Sequence, residues 1–454
     1  MKLGAPATLV VLASLATTAT TAATVSAQPR ATTAADVATA PRPGTESGRA
    51  DPVDPGDGVA RKLGRVVLWI PRIPLEIVTL PIRGVLYFQS KRAVGEIKRG
   101  EDDPKFTLGF GPELVVQSGF LPHAGLRVRL SNLFREHEQV GLRLGYGGHL
   151  GGLVGVEGDT GQRLGLLKAG FEGRLDRRAQ ERFFGFGNAE DAVATRYRLR
   201  GERAAAWLRA TLPAHFAVVG RGMLVRKRFR SDSNPRGDDV ALDQGYDPAT
   251  VTGYLDGARL LRAELEASWD TRHVASSYDP RSIRDSGALV LGYASHDWDL
   301  DGARNTTRYG FDLQQNLRLT AGPRVLELRV AGEAITSDLA HVPFTEVPSI
   351  GGDLLRAADT DRYRDRAALV MRATYLYALG YKVAGVLFGE AGRVYHSVDD
   401  FTLAGLHYGG GLGIEGYSVS SLVLRADVAT SFDGGVFFSI GLVPISDGRS
   451  RVRD

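Results

Sequence analysis

From Lys105 onward the chain alternates apolar and polar residues with a period of two, and this restricts its possible folds more than any other feature. The runs Gly125-Leu126-Arg127-Val128-Arg129-Leu130, Val140-Gly141-Leu142-Arg143-Leu144-Gly145-Tyr146, Leu326-Glu327-Leu328-Arg329-Val330 and Val423-Leu424-Arg425-Ala426-Asp427-Val428 all follow it. Successive side chains of a strand point to opposite faces, so each run is a strand with one apolar face and one bearing Arg, Glu, Asp or Gly. In a water-soluble sandwich the apolar face meets a shared core. In an outer-membrane barrel it meets lipid, and the polar face lines the lumen. Alternation by itself fits both.

The connections favour the barrel. About sixteen candidate strands run between Phe106 and Pro444, a count that a single-chain barrel accommodates. Very short turns at Leu212-Pro213, Ala321-Gly322-Pro323 and Leu379-Gly380 alternate with long polar segments, Asp176 to Ala194, Ser231 to Asp256 and Ser337 to Asp365. Short turns at one end and long loops at the other are the outer-membrane asymmetry. The Thr271 to Ile283 connection breaks the rule, being long on the short-turn side. Closing the sheet also removes the edge strands that would make so many strands prone to aggregate. The expected fold is an all-β transmembrane antiparallel β-barrel of about 16 strands over 105–445.

The first hundred residues read differently. Met1-Lys2, an apolar run from Leu9 to Leu15 and the small-residue site Val25-Ser26-Ala27 predict a secretory signal over 1–27. Residues 28–60 are rich in Ala, Thr, Pro, Asp and Gly and predict a disordered linker. Over 61–104, Pro71, Pro74 and Pro81 break every apolar run, so no spanning helix is expected. Ile82, Val85, Leu86, Ala93 and Ile97 can share one helical face, which predicts a short periplasmic amphipathic segment. A polar tail, 446–454, follows the last strand. With no cysteine in 454 residues, disulfides, thiolate metal sites and lipoprotein anchoring are excluded. Fifty-six basic and 52 acidic residues nearly balance, and no nucleic-acid partner is expected.

Four stretches carry a family resemblance. Phe183-Phe184-Gly185-Phe186-Gly187-Asn188 resembles the aromatic-Gly-x-Gly-Asn segment in the third outer loop of the BamA/TamA barrel family, the bacterial surface antigen family. Ser349-Ile350-Gly351-Gly352-Asp353-Leu354-Leu355-Arg356 resembles the approach to the arginine motif of that family's sixth outer loop. Arg362-Tyr363-Arg364-Asp365-Arg366 resembles the run into its strand twelve, and Leu387-Phe388-Gly389-Glu390-Ala391-Gly392 the Phe-x-Asp-x-Gly pattern of its strand thirteen. The resemblance implies that Arg356 folds back into the lumen and meets acidic groups, with Glu390 as its partner. Gly351, Gly352, Arg364 and Asp365 complete the implied loop lock. Departures from the pattern are Ala357 and Ala358 after the arginine, Glu390 in place of aspartate, and Thr374 where many members carry glutamate.

Motifs for chemistry are weak. Gly411-Leu412-Gly413-Ile414-Glu415-Gly416 matches G-x-G-x-x-G without a strand–helix unit, so it reads as strand glycines and no cofactor is expected. Asp297-Trp298-Asp299-Leu300-Asp301-Gly302 resembles the opening of a calcium loop but lacks the closing glutamate, Arg308 standing there instead. A divalent-cation loop and a plain acidic loop remain alternatives. A lipase would need Ser295 and His296 brought to a distant acid. The expected function is that of a noncatalytic outer-membrane barrel in protein or lipid translocation or assembly, without the family's periplasmic repeat domains. The alternatives are a passive porin-like channel or structural surface protein and, more remotely, an outer-membrane lipase. Outer-membrane lipid and lipopolysaccharide are the expected partners, with a separate periplasmic protein as a further one.

Overall fold

A computed structural model describes residues 106–442, apart from 118–119, 135–136, 149–150, 190–191, 233–234, 236–238, 274–285, 303, 321–323, 381–382 and 418–421. The expected signal, linker, amphipathic segment and polar tail lie outside the described residues.

Sixteen long strands follow one another among the described residues. They are β1 (Thr107–Gln117), β2 (Phe120–Ser131), β3 (Gln139–Tyr146), β4 (Gly151–Asp159), β5 (Leu167–Phe183), β6 (Thr195–Thr211), β7 (Phe216–Ser231) and β8 (Ala258–Asp270). Then come β9 (Gly287–Asp299), β10 (Thr306–Arg318), β11 (Arg324–Ile335), β12 (Ala367–Gly380), β13 (Val383–Tyr395), β14 (His407–Tyr417), β15 (Leu422–Ser431) and β16 (Val436–Leu442). Each pairs antiparallel with the next, and β1 also pairs with β16 from Leu114↔Leu442 to Gln117↔Ser439. This neighbour order is that of an up-and-down barrel.

Burial decides which face is which. On β10, Asp312, Gln314 and Asn316 are buried while Phe311, Leu313 and Leu317 are exposed. Apolar outside and polar inside reverses a soluble protein and matches a sheet whose outer face meets lipid. No helix among the described residues is long and apolar enough to cross a membrane, which says nothing of strands.

The long loops gather at one end. The third outer loop, between β5 and β6, is shorter than the sequence predicts, because β5 continues to Phe183 through a bulge at Ala179 and Gln180, where the register shifts and Gln180 takes φ 65°. Polar residues on both faces of β5 from Asp176 onward disguise the strand as a loop. The fourth outer loop, between β7 and β8, holds a two-residue strand, Val240–Ala241, parallel to Thr195–Arg196, and a single helical turn, Leu242–Gly245. In the sixth, Ser349–Ile350 and Tyr363–Arg364 form a small antiparallel hairpin arm. Most of the long connection after Thr271 lies outside the described residues.

Candidate functional site: the sixth loop inside the sheet

The sixth loop, 336–366, is seated against the inner face rather than in solvent. Ile350, Leu354, Leu355, Ala357, Ala358 and Tyr363 are all buried. Ile350, Leu354, Leu355 and Tyr363 pack with Ala331 of β11, Ala368 and Val370 of β12 and Val394 of β13. Burying each large aliphatic side chain contributes about 1.5–3 kcal/mol, so apolar contact is the main attraction holding the tip.

Polar contacts fix its position. Arg372 on β12 donates from Nη2 to the carbonyls of Asp353 and Leu354, each at 2.6 Å. Its Nε donates to Glu390 Oε2 on β13 at 2.9 Å. Glu390 Oε1 in turn accepts from the Ala357 amide at 2.8 Å. Arg372 and Glu390 are direct register partners, so two strand positions present a donor fork and a carboxylate to one stretch of loop. Asp353 and Leu354 lend carbonyls, Ala357 its N–H, and no exact loop side chain is required.

The Arg356 side chain is largely enclosed, 8% exposed, and the carboxylate beside it is Asp427 rather than Glu390. Its Nη1 lies 3.5 Å from Asp427 Oδ1 on β15, and its guanidinium sits over the Phe388 ring at 4.5 Å from the centroid. Asp427 also accepts from Arg425 Nε at 2.5 Å. Glu390 is engaged by Arg372 and the Ala357 amide instead. Burial, then the nearby Arg425 and Arg372, push the Arg356 pKa down to about 9. The carboxylate that the family pattern places at Thr374 is thus replaced by one three strands further on. Thr374 itself is buried on β12.

The glycines of β14 make the space. A Cβ on Gly409 would lie 2.1 Å from the Cβ of Ala357, and one on Gly413 would lie 2.2 Å from Asp427 Oδ1. The G-x-G-x-x-G stretch therefore belongs to a strand whose bare backbone admits the loop and the carboxylate. At the loop's own turn, Gly351 has φ 131° and Gly352 φ 66°. A Cβ on Gly351 would fall 2.0 Å from the Asp359 carbonyl, so no other residue fits there.

The base of the loop is anchored twice more. Phe344 is fully buried among Phe183, Tyr197, Phe229 and Tyr254, with ring centroids 4.8 to 6.3 Å away. Glu346 meets Lys227 Nζ at 2.5 Å and Arg262 Nη2 at 2.8 Å, and its carbonyl accepts from Arg308. Arg364, also buried, donates to the Phe344 carbonyl at 3.0 Å and to Asp361 at 2.6 Å. Its own carbonyl accepts from Gly187 N–H at 2.7 Å, which ties the third loop to the sixth. Asn188 then uses both ends of its amide on the backbone of Val394, at 2.8 and 3.1 Å. Asp365 holds the arm through its amide to the Pro348 carbonyl at 3.2 Å and its carboxylate to the Arg366 amide at 2.8 Å.

Other sequence candidates are accounted for. Asp297 is taken by Arg262, Asp299 by Arg304 and Asp301 by Arg259, so that acidic stretch is filled by guanidiniums. No cluster of three or more metal-ligating side chains occurs among the described residues. Ser295 is buried on the inner face, whereas His296 lies on the other face, hydrogen-bonded to Thr307 Oγ1 at 2.8 Å and edge-on to Trp298. Neighbours on a strand point apart, so they form no dyad.

No protein-family model matches the sequence, and no curated protein matches it. Solved structures do resemble the fold. BamA from Haemophilus ducreyi lacking POTRA domains 1–3 superposes with a TM-score of 0.53 at 11% identity, covering 74% of this chain and 70% of that one. CdiB from Escherichia coli superposes with a TM-score of 0.51 at 10% identity, covering 75% of this chain and 63% of that one. The chain thus spans less than two thirds of that CdiB. At identity this low the superpositions establish the fold alone: a barrel-type antiparallel sheet of the kind that BamA and CdiB adopt.

Proposed function

We propose that this chain is an integral outer-membrane barrel of the BamA-like type, noncatalytic, which works in translocating or assembling protein or lipid at the outer membrane. The observation that carries the reading is the seated sixth loop, clamped by Arg372 and Glu390 through its backbone. A buried apolar loop tip on the inner face of β11 to β13 is at odds with a wide, steadily open channel. An inward loop under ionic clamps gives a resting state that a cargo or partner can displace. In this reading a periplasmic partner protein hands the cargo to the barrel.

Two measurements test it. In planar bilayers the wild type should show only rare openings, and Arg372→Ala should open often; steady wild-type conductance would sink the plug reading in favour of a porin. Cysteines at the register partners Val116 and Ile440 should cross-link β1 to β16. If sealing that seam leaves the cellular phenotype of the wild type untouched, lateral passage between these strands is ruled out.

A further inference from the structure

We propose that the outer face of β5, β6 and β7, at the long-loop end, binds the phosphate groups of outer-leaflet lipid headgroups; this rests on the outer-membrane reading above.

Three arginines stand side by side across the sheet. Arg177, Arg200 and Arg228 are direct register partners on β5, β6 and β7, and all three are exposed. Adjacent strands lie about 4.8 Å apart, so the charges are crowded, and like charges directly opposite one another destabilise a sheet. A second row, Arg198 opposite Arg230, lies two residues nearer the loops. A third, Glu202 opposite Arg226 opposite Arg259, lies two residues further from them.

Compensation from the protein is incomplete. Glu202 is shared by Arg200 at 3.4 Å and Arg226 at 3.9 Å. Arg198 has Asp232 at 3.1 Å, and Arg259 has Asp301 at 3.3 Å. Among the described residues, no carboxylate forms an ion pair with Arg177, Arg228 or Arg230. The row invites an anion from outside the chain.

Height on the barrel says which anion. The exposed Leu175 on β5 stands level with the third row, immediately below which the same outward face carries the exposed Leu224 and Leu261, and Trp298 on β9 is the register partner of Leu261. From Phe216 to Leu224 the outward face of β7 carries no charge. Those eight steps span about 27 Å of strand, or about 20 Å of height once tilted. The arginines therefore begin where hydrocarbon ends and interfacial aromatics sit, at headgroup level. A ligand covering them adjoins acyl chains directly, which favours a phosphorylated lipid over an acidic protein. Bidentate guanidinium–phosphate contacts suit arginine rather than lysine.

The test uses the full chain in phosphatidylcholine nanodiscs titrated with bisphosphorylated lipid A, read by native mass spectrometry. The wild type should retain the lipid, and Arg177→Gln/Arg200→Gln/Arg228→Gln should bind it on the order of a hundredfold more weakly, with heat-induced unfolding in neutral detergent unchanged or delayed. Equal retention by wild type and variant overturns the assignment. So does equal retention of dephosphorylated lipid A, displacement by millimolar inorganic phosphate alone, or displacement by polyglutamate as effectively as by the lipid, which would indicate an acidic protein partner. Failure of the wild type to insert into nanodiscs at all would overturn the membrane reading as well, and insertion without lipid preference overturns this inference alone.

Discussion

Arg372 and Glu390 face each other across β12 and β13 at 2.9 Å, and each also hydrogen-bonds the backbone of the sixth loop. The pair therefore does two things at once: it satisfies its own buried charges and reads the loop's main chain. Arg356, the loop's own charged residue, has a lighter task, since Asp427 keeps Arg425 when Arg356 is removed.

This gives a ranking of variants. Arg372→Ala leaves Glu390 buried without its cation and should cost about 3–5 kcal/mol. Arg356→Ala should cost about 1–2 kcal/mol, from one long ion pair and the contact with Phe388. Unfolding by urea in detergent, followed by tryptophan fluorescence, measures both. An Arg356 variant as damaged as the Arg372 variant would contradict the assignment of roles.

Replacing the strand pair together separates charge from clamp. Arg372→Met/Glu390→Gln removes both charges, so it should be less destabilised than the sum of the two single variants, by about 1–3 kcal/mol of coupling. Protease sensitivity of the sixth loop should nonetheless rise in the double variant, because the two carbonyl contacts are gone. A double variant as protected as wild type would mean apolar packing alone positions the tip.

Gly409 offers a steric test. Gly409→Ala puts a methyl group into the space of Ala357 and should cost about 1–3 kcal/mol. Ala357→Gly introduced with it should recover most of that loss. Absence of any recovery in the heat-induced mobility shift would show that the strain arises elsewhere, for instance at the Thr430 carbonyl, 3.0 Å from the added carbon.

Asn188 joins the third loop to β13, and Asn188→Ala should cost about 1–3 kcal/mol for the paired hydrogen bonds it removes. Hydrogen exchange at the Val394 amide reports it directly. Protection there that survives the substitution would show the amide to be shielded by another group.

The barrel was legible because alternation is local: each strand declares its two faces within a few residues. Loop-six insertion was legible only through the resemblance, since nothing in Gly351-Gly352 or Arg356 by itself says inward. Arg372 carries no sequence signal of its own, although it sits two residues from Thr374 on the same inward face, because an arginine in an alternating strand is ordinary until the loop carbonyls it meets are known. Asp427 lay in plain view in the alternating run Val423 to Val428. Its proximity to Arg356 depends on how β12 to β15 curve, and on Gly413 leaving room. β5 was cut short for the opposite reason: above the apolar zone both faces of a strand become polar, and period two disappears.

The link between the third loop and β13 joins residues 206 apart, and Arg182 reaches Asp359 across 177. Contacts of such separation bear their loop-closure cost before they return any stability. They form only after the sheet has bent far enough to bring β5 and β13 to the same loop, so they act late on the folding path. Weakening them should leave the folding rate nearly unchanged and speed escape from the native state. The seated loop is thus also a time lock, one that sets how long the finished barrel lasts.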